Sequence, residues 1–318
     1  MKITVIEAIE RLTSGQVVSL PTETVYGLAA CLNQPKAIEN IFKLKGRPLH
    51  NPLIIHVANI QQIEDYLLHP VSLFDELAST FWPGPLTIIL PIQTLKISEI
   101  VRAHLPSAAF RIPDQADTLR IIKEVGPLVM PSANISGYPS ATMADHVEKD
   151  FGVDFPVLDG GSCEKGLEST ILYYLNPTWV ILRMGALTGE SLEKVLGYRP
   201  EFFLTTEQQK KPLSPGQLLR HYSPHARLIL GDPSALERAP FIVGFRERSY
   251  PEKSRVLYLG SINDVNEVAN NLYHILRELD IQKSSWAWVD INFPTHGLWK
   301  TVSDRLTKAA DTEPDDFT

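Results

Sequence analysis

Apolar residues in the first two-thirds of the chain follow two spacings. Val5, Ile6, Ile9 and Leu12 repeat with the period of a helix between Ile3 and Leu12, and Ile38, Ile41 and Phe42 do so between Ala37 and Leu44. The run Val17-Val18-Ser19-Leu20 predicts a short buried strand. Leu86-Thr87-Ile88-Ile89-Leu90 predicts another, entered from the stiff loop Trp82-Pro83-Gly84-Pro85. Ala109-Phe110-Arg111-Ile112 predicts a third, closed by Pro113. Ser169 to Tyr174 and Trp179 to Arg183 predict a hairpin with Asn176-Pro177-Thr178 in its turn. Helical and extended patterns mix without a strict βαβ rhythm, so residues 1–200 read as a twisted α/β domain with a mixed sheet.

The pattern breaks from about Glu201 to Arg227. Thr205-Thr206-Glu207-Gln208-Gln209-Lys210-Lys211-Pro212 is polar and aperiodic, which predicts a linker over 201–226. A smaller rhythm then fills 227–318. Arg227-Leu228-Ile229-Leu230, Phe241-Ile242-Val243, Arg255 to Leu259 and Trp286 to Val289 are strand-like. Val265, Val268, Ala269, Leu272, Ile275, Leu276 and Leu279 recur at helical spacing, and a last helix is expected from Gly297 to Ala310. The alternation predicts a small Rossmann-like domain with a parallel sheet. It carries no G-x-G-x-x-G, so no dinucleotide is assigned to it.

Composition narrows the class. The 318 residues are 44% hydrophobic and 21% charged, ordinary values for a globular protein of two domains. A net charge of −7 argues against a general nucleic-acid binder while allowing a local basic pocket. No apolar run spans a bilayer and no secretory signal opens the chain, so a cytoplasmic setting without a membrane is expected. Cys31 and Cys163 read as small buried residues in a reducing compartment.

Chemistry concentrates in a few segments. In Pro21-Thr22-Glu23-Thr24-Val25-Tyr26-Gly27-Leu28, polar groups follow a buried strand, where they are costly unless they bind something. Gly27 permits close approach of backbone or ligand. The plainer reading is a turn into a helix with Thr22 or Thr24 as its N-cap. Lys45 and Arg47 suit phosphate oxygens, or form a solvated basic turn. Asn51-Pro52-Leu53-Ile54-Ile55-His56 brings Asn51 and His56 to the two ends of a buried strand beside them. Arg111 within an apolar strand needs a partner, and a ligand carboxylate is a natural one. Pro131-Ser132-Ala133-Asn134-Ile135-Ser136-Gly137 can wrap a small ligand or cap a helix. Ser169 and Arg183, at the start and end of the hairpin, are expected to lie close together. There is no Walker A motif, H-E-x-x-H or paired-cysteine zinc signature.

Taken in order, these segments resemble the YrdC-like family, the threonylcarbamoyl-AMP synthases. Leu213-Ser214-Pro215-Gly216-Gln217-Leu218-Leu219-Arg220-His221-Tyr222-Ser223-Pro224-His225 is similar to the linker that folds over the active site in its long, two-domain form. Gln217 and Leu219 stand where methionine and tyrosine are common. Gly297-Leu298-Trp299 and Asp304-Arg305-Leu306 also look like the family's second domain. The resemblance implies synthesis of threonylcarbamoyl-AMP and pyrophosphate from L-threonine, bicarbonate and ATP, with Mg²⁺ carried by ATP and no metal ligands from the protein. It implies that Thr24, His56, Arg111, Ser132 and Ser169 surround threonine. Lys45, Arg47, Asn51, Asn134, Thr142, Arg183 and Tyr222 would hold ATP, with Lys45, Arg47 and Arg183 acting in catalysis. Glu23 is the nearest candidate base, and a structural or metal-orienting role suits it better. The implied partner is a tRNA threonylcarbamoyl transferase, with a weak tRNA contact. The alternatives are an RNA-binding module and a nucleotide pyrophosphohydrolase.

Overall fold

The computed structural model describes residues 1–203, 213–214 and 221–310. Ten strands build the first sheet: β1 (Lys2–Ile3), β2 (Val18–Leu20), β3 (Gly27–Cys31), β4 (Ile54–His56), β5 (Leu86–Pro91), β6 (Ser107–Arg111), β7 (Leu128–Val129), β8 (Val157–Leu158), β9 (Thr170–Leu175) and β10 (Thr178–Arg183). They lie in the order β1-β8-β2-β3-β7-β4-β6-β5-β9-β10. The pairs β1–β8, β8–β2, β4–β6 and β5–β9 are parallel and the others antiparallel, as the missing βαβ rhythm led one to expect.

Strand alternation divides the core between the faces of this sheet. Leu28 and Ala30 join one cluster with Ile38, Ile41 and Phe42 of helix Pro35–Lys45. Ala29 and Cys31 join another with Ala8 and Leu12 of helix Val5–Thr13 and Ile121 and Ile122 of helix Ala116–Val125. Further along, Ile54, Ile89, Ala109, Ile171, Val180 and Leu182 form a patch on which Phe203 and Leu213 pack.

Four strands make the second sheet: β11 (Arg227–Leu230), β12 (Phe241–Phe245), β13 (Arg255–Gly260) and β14 (Trp286–Val289). All pairs are parallel, in the order β11-β14-β12-β13. Helices Val265–Ile281 and Trp299–Ala310 supply much of its core, through Leu272, Leu276, Val302 and Leu306. Val25, Leu167 and Tyr222 join the same cluster, so the two regions share apolar packing.

Several element boundaries shift for local reasons. The first helix begins at Val5, because Thr4 and Glu7 form a reciprocal capping box, and Ile3 goes to β1 instead. Segment 21–26 is a loop between antiparallel β2 and β3, not a turn into a helix. Strand β4 begins only at Ile54; Asn51 sits in the preceding turn, its amide donating to Pro48 O. Strand β6 stops at Arg111, where Ile112 O accepts from Gly84 instead of a neighbouring strand. The last helix begins at Trp299, two residues after the expected Gly297. Both cysteines are buried and free. No helix among the described residues is long and apolar enough to cross a membrane.

Candidate active site

The ends of β3, β4, β6 and β10 meet a pocket lined by Thr22, Val25, Tyr26, Gly27, Arg47, Ile54, His56, Arg111, Met130, Pro131, Ser132, Glu168, Ser169, Arg183, His221 and Tyr222. Seven of the residues singled out from sequence are therefore brought together: Arg47, His56, Arg111, Ser132, Ser169, Arg183 and Tyr222. Local structure explains each placement. In β4 and β6, His56 and Arg111 occupy the same register position. The hairpin β9–β10 returns Arg183 to Ser169, whose carbonyl accepts from Arg183 Nη2 at 2.8 Å and whose hydroxyl accepts at 3.1 Å. Ser169 Oγ also lies 2.7 Å from Thr87 Oγ1 on β5. A Cβ on Gly27 would meet Met130 and the Pro131 carbonyl, so the glycine serves the close approach of neighbouring backbone.

Arg47 donates to Asn51 O and Asn51 Oδ1, and to Pro52 O at 2.7 Å. Burial, then Arg183, lowers the Arg47 pKa to about 9. Arg111 Nε donates to Gly84 O at 3.2 Å, and its Nη2 lies 2.7 Å from Glu23 Oε1. That contact is an ion pair whose alignment falls short of a hydrogen bond. Glu23 thus already gives Arg111 a carboxylate partner, and its Oε2 accepts from the Asp114 amide at 3.1 Å. Burial, then Arg111, holds His56 neutral with its pKa lowered to about 3. Glu168 is held as a carboxylate, its pKa lowered to about 2: burial opposes ionisation, but Arg305 and Arg183 overcome it.

Five singled-out residues do not line this pocket. Lys45 Nζ donates to Ser132 O at 2.5 Å and Asn134 O at 2.6 Å, holding the Pro131–Asn134 loop from behind. Burial, then Arg47, pushes its pKa well below that of a free lysine. Asn134 Nδ2 donates to Ile135 O and Tyr138 O. Asn51 is bonded to Arg47. The Thr142 amide donates to His146 Nδ1. Thr24 faces Thr22, their hydroxyls 2.8 Å apart, and Thr22 is the one on the pocket wall. Sequence reasoning assigned no ligand-binding role to Thr22, Glu168 or His221, although Thr22 and His221 lie within segments it singled out and Glu168 directly precedes the predicted hairpin. Their signal was adjacency to Thr24, Ser169 and Tyr222.

The linker reaches this pocket. Tyr222, at φ 68°, is buried between the Tyr273 ring, 5.3 Å away, and the Arg305 guanidinium, 4.7 Å above its face. A tyrosine in the left-handed region is an uncommon backbone state that surrounding contacts must hold. The Tyr222 hydroxyl, His221 Nδ1 and Asn134 Oδ1 are buried with no hydrogen-bond partner among the described residues. Buried polar atoms of that kind call for a ligand or water. Arg220, Gln217 and Leu219, with the polar run 205–212, lie outside the described residues. The arrangement offers cations, hydroxyls and aromatic cover to a small anionic ligand.

Comparison with known proteins gives a consistent picture. The family model Sua5_yciO_yrdC, described as Telomere recombination, matches residues 10–185. A second model, described as Threonylcarbamoyl-AMP synthase, C-terminal domain, matches residues 187–311. The chain is similar to the threonylcarbamoyl-AMP synthase of Bacillus subtilis, 36% identical over 96% of this chain and 92% of that protein. It is equally similar to the threonylcarbamoyl-AMP synthase of Pyrococcus abyssi, 36% identical over 94% of this chain and 92% of that protein. The crystal structure of P. abyssi Sua5 complexed with L-threonine superposes with a TM-score of 0.86 at 34% identity, covering 96% of this chain and 94% of the other.

Proposed function

This chain belongs to the Sua5_yciO_yrdC family, and we propose on that premise that it is an L-threonylcarbamoyladenylate synthase. It joins L-threonine, bicarbonate and ATP into threonylcarbamoyl-AMP, releasing pyrophosphate and water. The observation that carries this reading is one pocket lined by three buried guanidiniums, Arg47, Arg111 and Arg183, beside the hydroxyls of Thr22, Ser132 and Ser169 and the unpartnered Tyr222 hydroxyl. Solved P. abyssi Sua5 with L-threonine supports an amino-acid subsite in the same fold.

In this reading the threonine amine captures bicarbonate or carbon dioxide as a carbamate. A carbamate oxygen attacks the α-phosphorus of ATP, and the bond to the bridging oxygen breaks, its electron pair leaving with pyrophosphate. Negative charge accumulates throughout, so fixed cations supply most of the help. Thr24, His56, Arg111, Ser132 and Ser169 surround threonine, with Arg111 shared between Glu23 and the substrate carboxylate. Lys45, Arg47, Asn51, Asn134, Thr142, Arg183 and Tyr222 hold the nucleotide. Lys45 either acts through the loop whose carbonyls it binds or exchanges one of them for a phosphate oxygen. Glu23, committed to Arg111, serves position and not proton transfer.

Among the described residues no group of three or more His, Cys, Asp or Glu could hold a metal ion. The hydroxyl-lined pocket fits Mg²⁺ carried on ATP phosphates, where it would neutralise charge. Residues 1–200 form the catalytic domain, 201–226 close over the substrates, and 227–318 form the small second domain. The product passes, in the cytoplasm, to a tRNA threonylcarbamoyl transferase, with at most a weak contact to tRNA.

The test is ATP turnover with threonine and bicarbonate omitted in turn. Pyrophosphate and threonylcarbamoyl-AMP appear only when both are present. Equal ATP cleavage without threonine overturns the reading in favour of a pyrophosphohydrolase. Tight RNA binding that weakens steeply with salt, without turnover, favours an RNA-binding module.

A further inference from the structure

One buried cation of the second region reaches the pocket wall. Arg305, on helix Trp299–Ala310, is fully buried. Its Nε donates to Glu168 Oε2 at 3.1 Å and to the Tyr273 hydroxyl at 3.1 Å. Its Nη2 donates to Met184 O at 2.6 Å, and its Nη1 bonds Asp304. Its flat face covers Tyr222. A single guanidinium thus touches the neighbour of Ser169, the neighbour of Arg183, and Tyr222 itself.

Glu168 gives this contact its meaning. Glu168 is among the residues lining the pocket, and a carboxylate there would repel a polyphosphate. It accepts from Ser140 Oγ at 2.6 Å, from Tyr273 at 2.8 Å and from Arg305, so two of three donors come from the second region. Without Arg305 the buried carboxylate would lose its ion-pair partner, keeping the Ser140 and Tyr273 hydroxyls and the field of Arg183.

The two ends of the pocket are anchored differently. Ser169 is held by Thr87 and Arg183, and Arg111 by Glu23 and Gly84, all within the first region. Tyr222 and the Met184 carbonyl, next to Arg183, are held by Arg305. We propose that Arg305 is a positioning residue for the nucleotide: it screens Glu168 from the phosphates and fixes Tyr222 and the backbone beside Arg183, while leaving the threonine end to the first domain. This rests on the synthase reading and assigns the second domain a part in that site.

The test measures ATP binding and threonine binding separately by calorimetry on the full chain, alongside turnover and a thermal melt. For R305M the ATP dissociation constant and KM rise about 10- to 100-fold, the scale of a lost charge-assisted contact. Threonine affinity stays near wild type. R305K, which keeps the charge but loses the planar fork, recovers part of the loss. The double variant E168Q/R305M, which leaves no uncompensated charge, recovers the melting temperature but not ATP affinity, because Tyr222 remains unsupported. If R305M binds ATP like wild type, or if ATP and threonine affinities fall together with the melt, the proposal is overturned. Full recovery of ATP binding in the double variant also overturns it, reducing Arg305 to charge balance. A wild-type chain that binds no ATP removes the synthase reading and this proposal with it; a wild type that binds ATP beside an equally competent R305M removes only the proposal.

Discussion

In the ten-stranded region the buried cations turn inward. Lys45, Arg47 and Arg183 give donors to carbonyls of their own region, and two of the three line the pocket. In the four-stranded region Arg277 and Arg305 turn outward. Arg277 grips Asp150 with both terminal nitrogens, at 2.8 and 2.7 Å, and donates to Pro139 O. Arg305 grips Glu168 and Met184 O. The first region builds a site, and the second invests its buried charge in holding that site's surroundings. A fold with a parallel sheet and no phosphate loop of its own can thus belong to an ATP-dependent enzyme without being its nucleotide domain.

The most severe way to break this comparison is to remove the second region. Truncation near Glu201 is expected to cut product formation by about 10²–10³-fold, the scale of losing preorganised groups at a reacting centre. Threonine binding should persist in the folded remainder. Full activity in a well-folded truncation, judged by product formation and a melt, would reduce the linker and second domain to accessories.

Arg111→Ala asks the same of the inward cations. The threonine dissociation constant should rise roughly 10- to 150-fold, with ATP affinity little changed. Because Glu23 is left buried and unpaired, the melt falls too. Pairing the change with Glu23→Gln should restore the melt alone. Normal threonine binding in a folded Arg111→Ala protein makes Arg111 only the partner of Glu23.

Gly166→Ala probes the seam between the regions. Gly166 has φ +68°, and a Cβ there would lie 2.4 Å from Asn270 Cα. The left-handed backbone alone costs a non-glycine residue about 1–3 kcal/mol. Calorimetry should show a lower melt that splits into two transitions; a single unshifted transition would mean the regions do not stabilise each other.

The smallest effect, taken per pH unit, is one of pH. Thr142 N–H donates to His146 Nδ1, so the His146 proton sits on Nε2 and points at His274 Nδ1, 3.3 Å away. Burial, then Arg277 and His274, lowers the His146 pKa to about 2 from its usual 6.5. Between those values the unfolded chain binds a proton the folded chain does not. Stability is therefore complete above about pH 6.5 and lost as pH falls below it, at about 1.4 kcal/mol per pH unit for one group. His56 and His221, both lowered to about 3 by burial, add the same sign. His146→Gln should flatten the fall of melting temperature on acidification, and an unchanged slope would show that His146 is not among the groups responsible.

Much of this was legible in the chain. Periodicity located β2, β5, the hairpin β9–β10 and the second parallel sheet, because each is a long or well-bounded apolar pattern. Strands β1, β7 and β8 were not assigned, since two-residue pairings such as Lys2–Ile3 with Val157–Leu158 leave no periodic trace. The cations of the pocket were visible as residue types needing partners. Their actual partners were not, because a carbonyl such as Ser132 O or Met184 O has no signature in sequence. Arg305 was seen in a motif and Glu168 stands next to the predicted hairpin, but only the tertiary fold joins them.

The separation of those two residues along the chain has a bearing on synthesis. Glu168 precedes Arg305 by 137 positions. At roughly 5–20 residues per second, a ribosome would expose the carboxylate about 7–27 s before its cation is made. Through that interval a nascent chain lacks the proposed screen on Glu168, and so would a fragment released before the last helix. On the proposed role of Arg305, finishing translation is what completes the nucleotide end of the site.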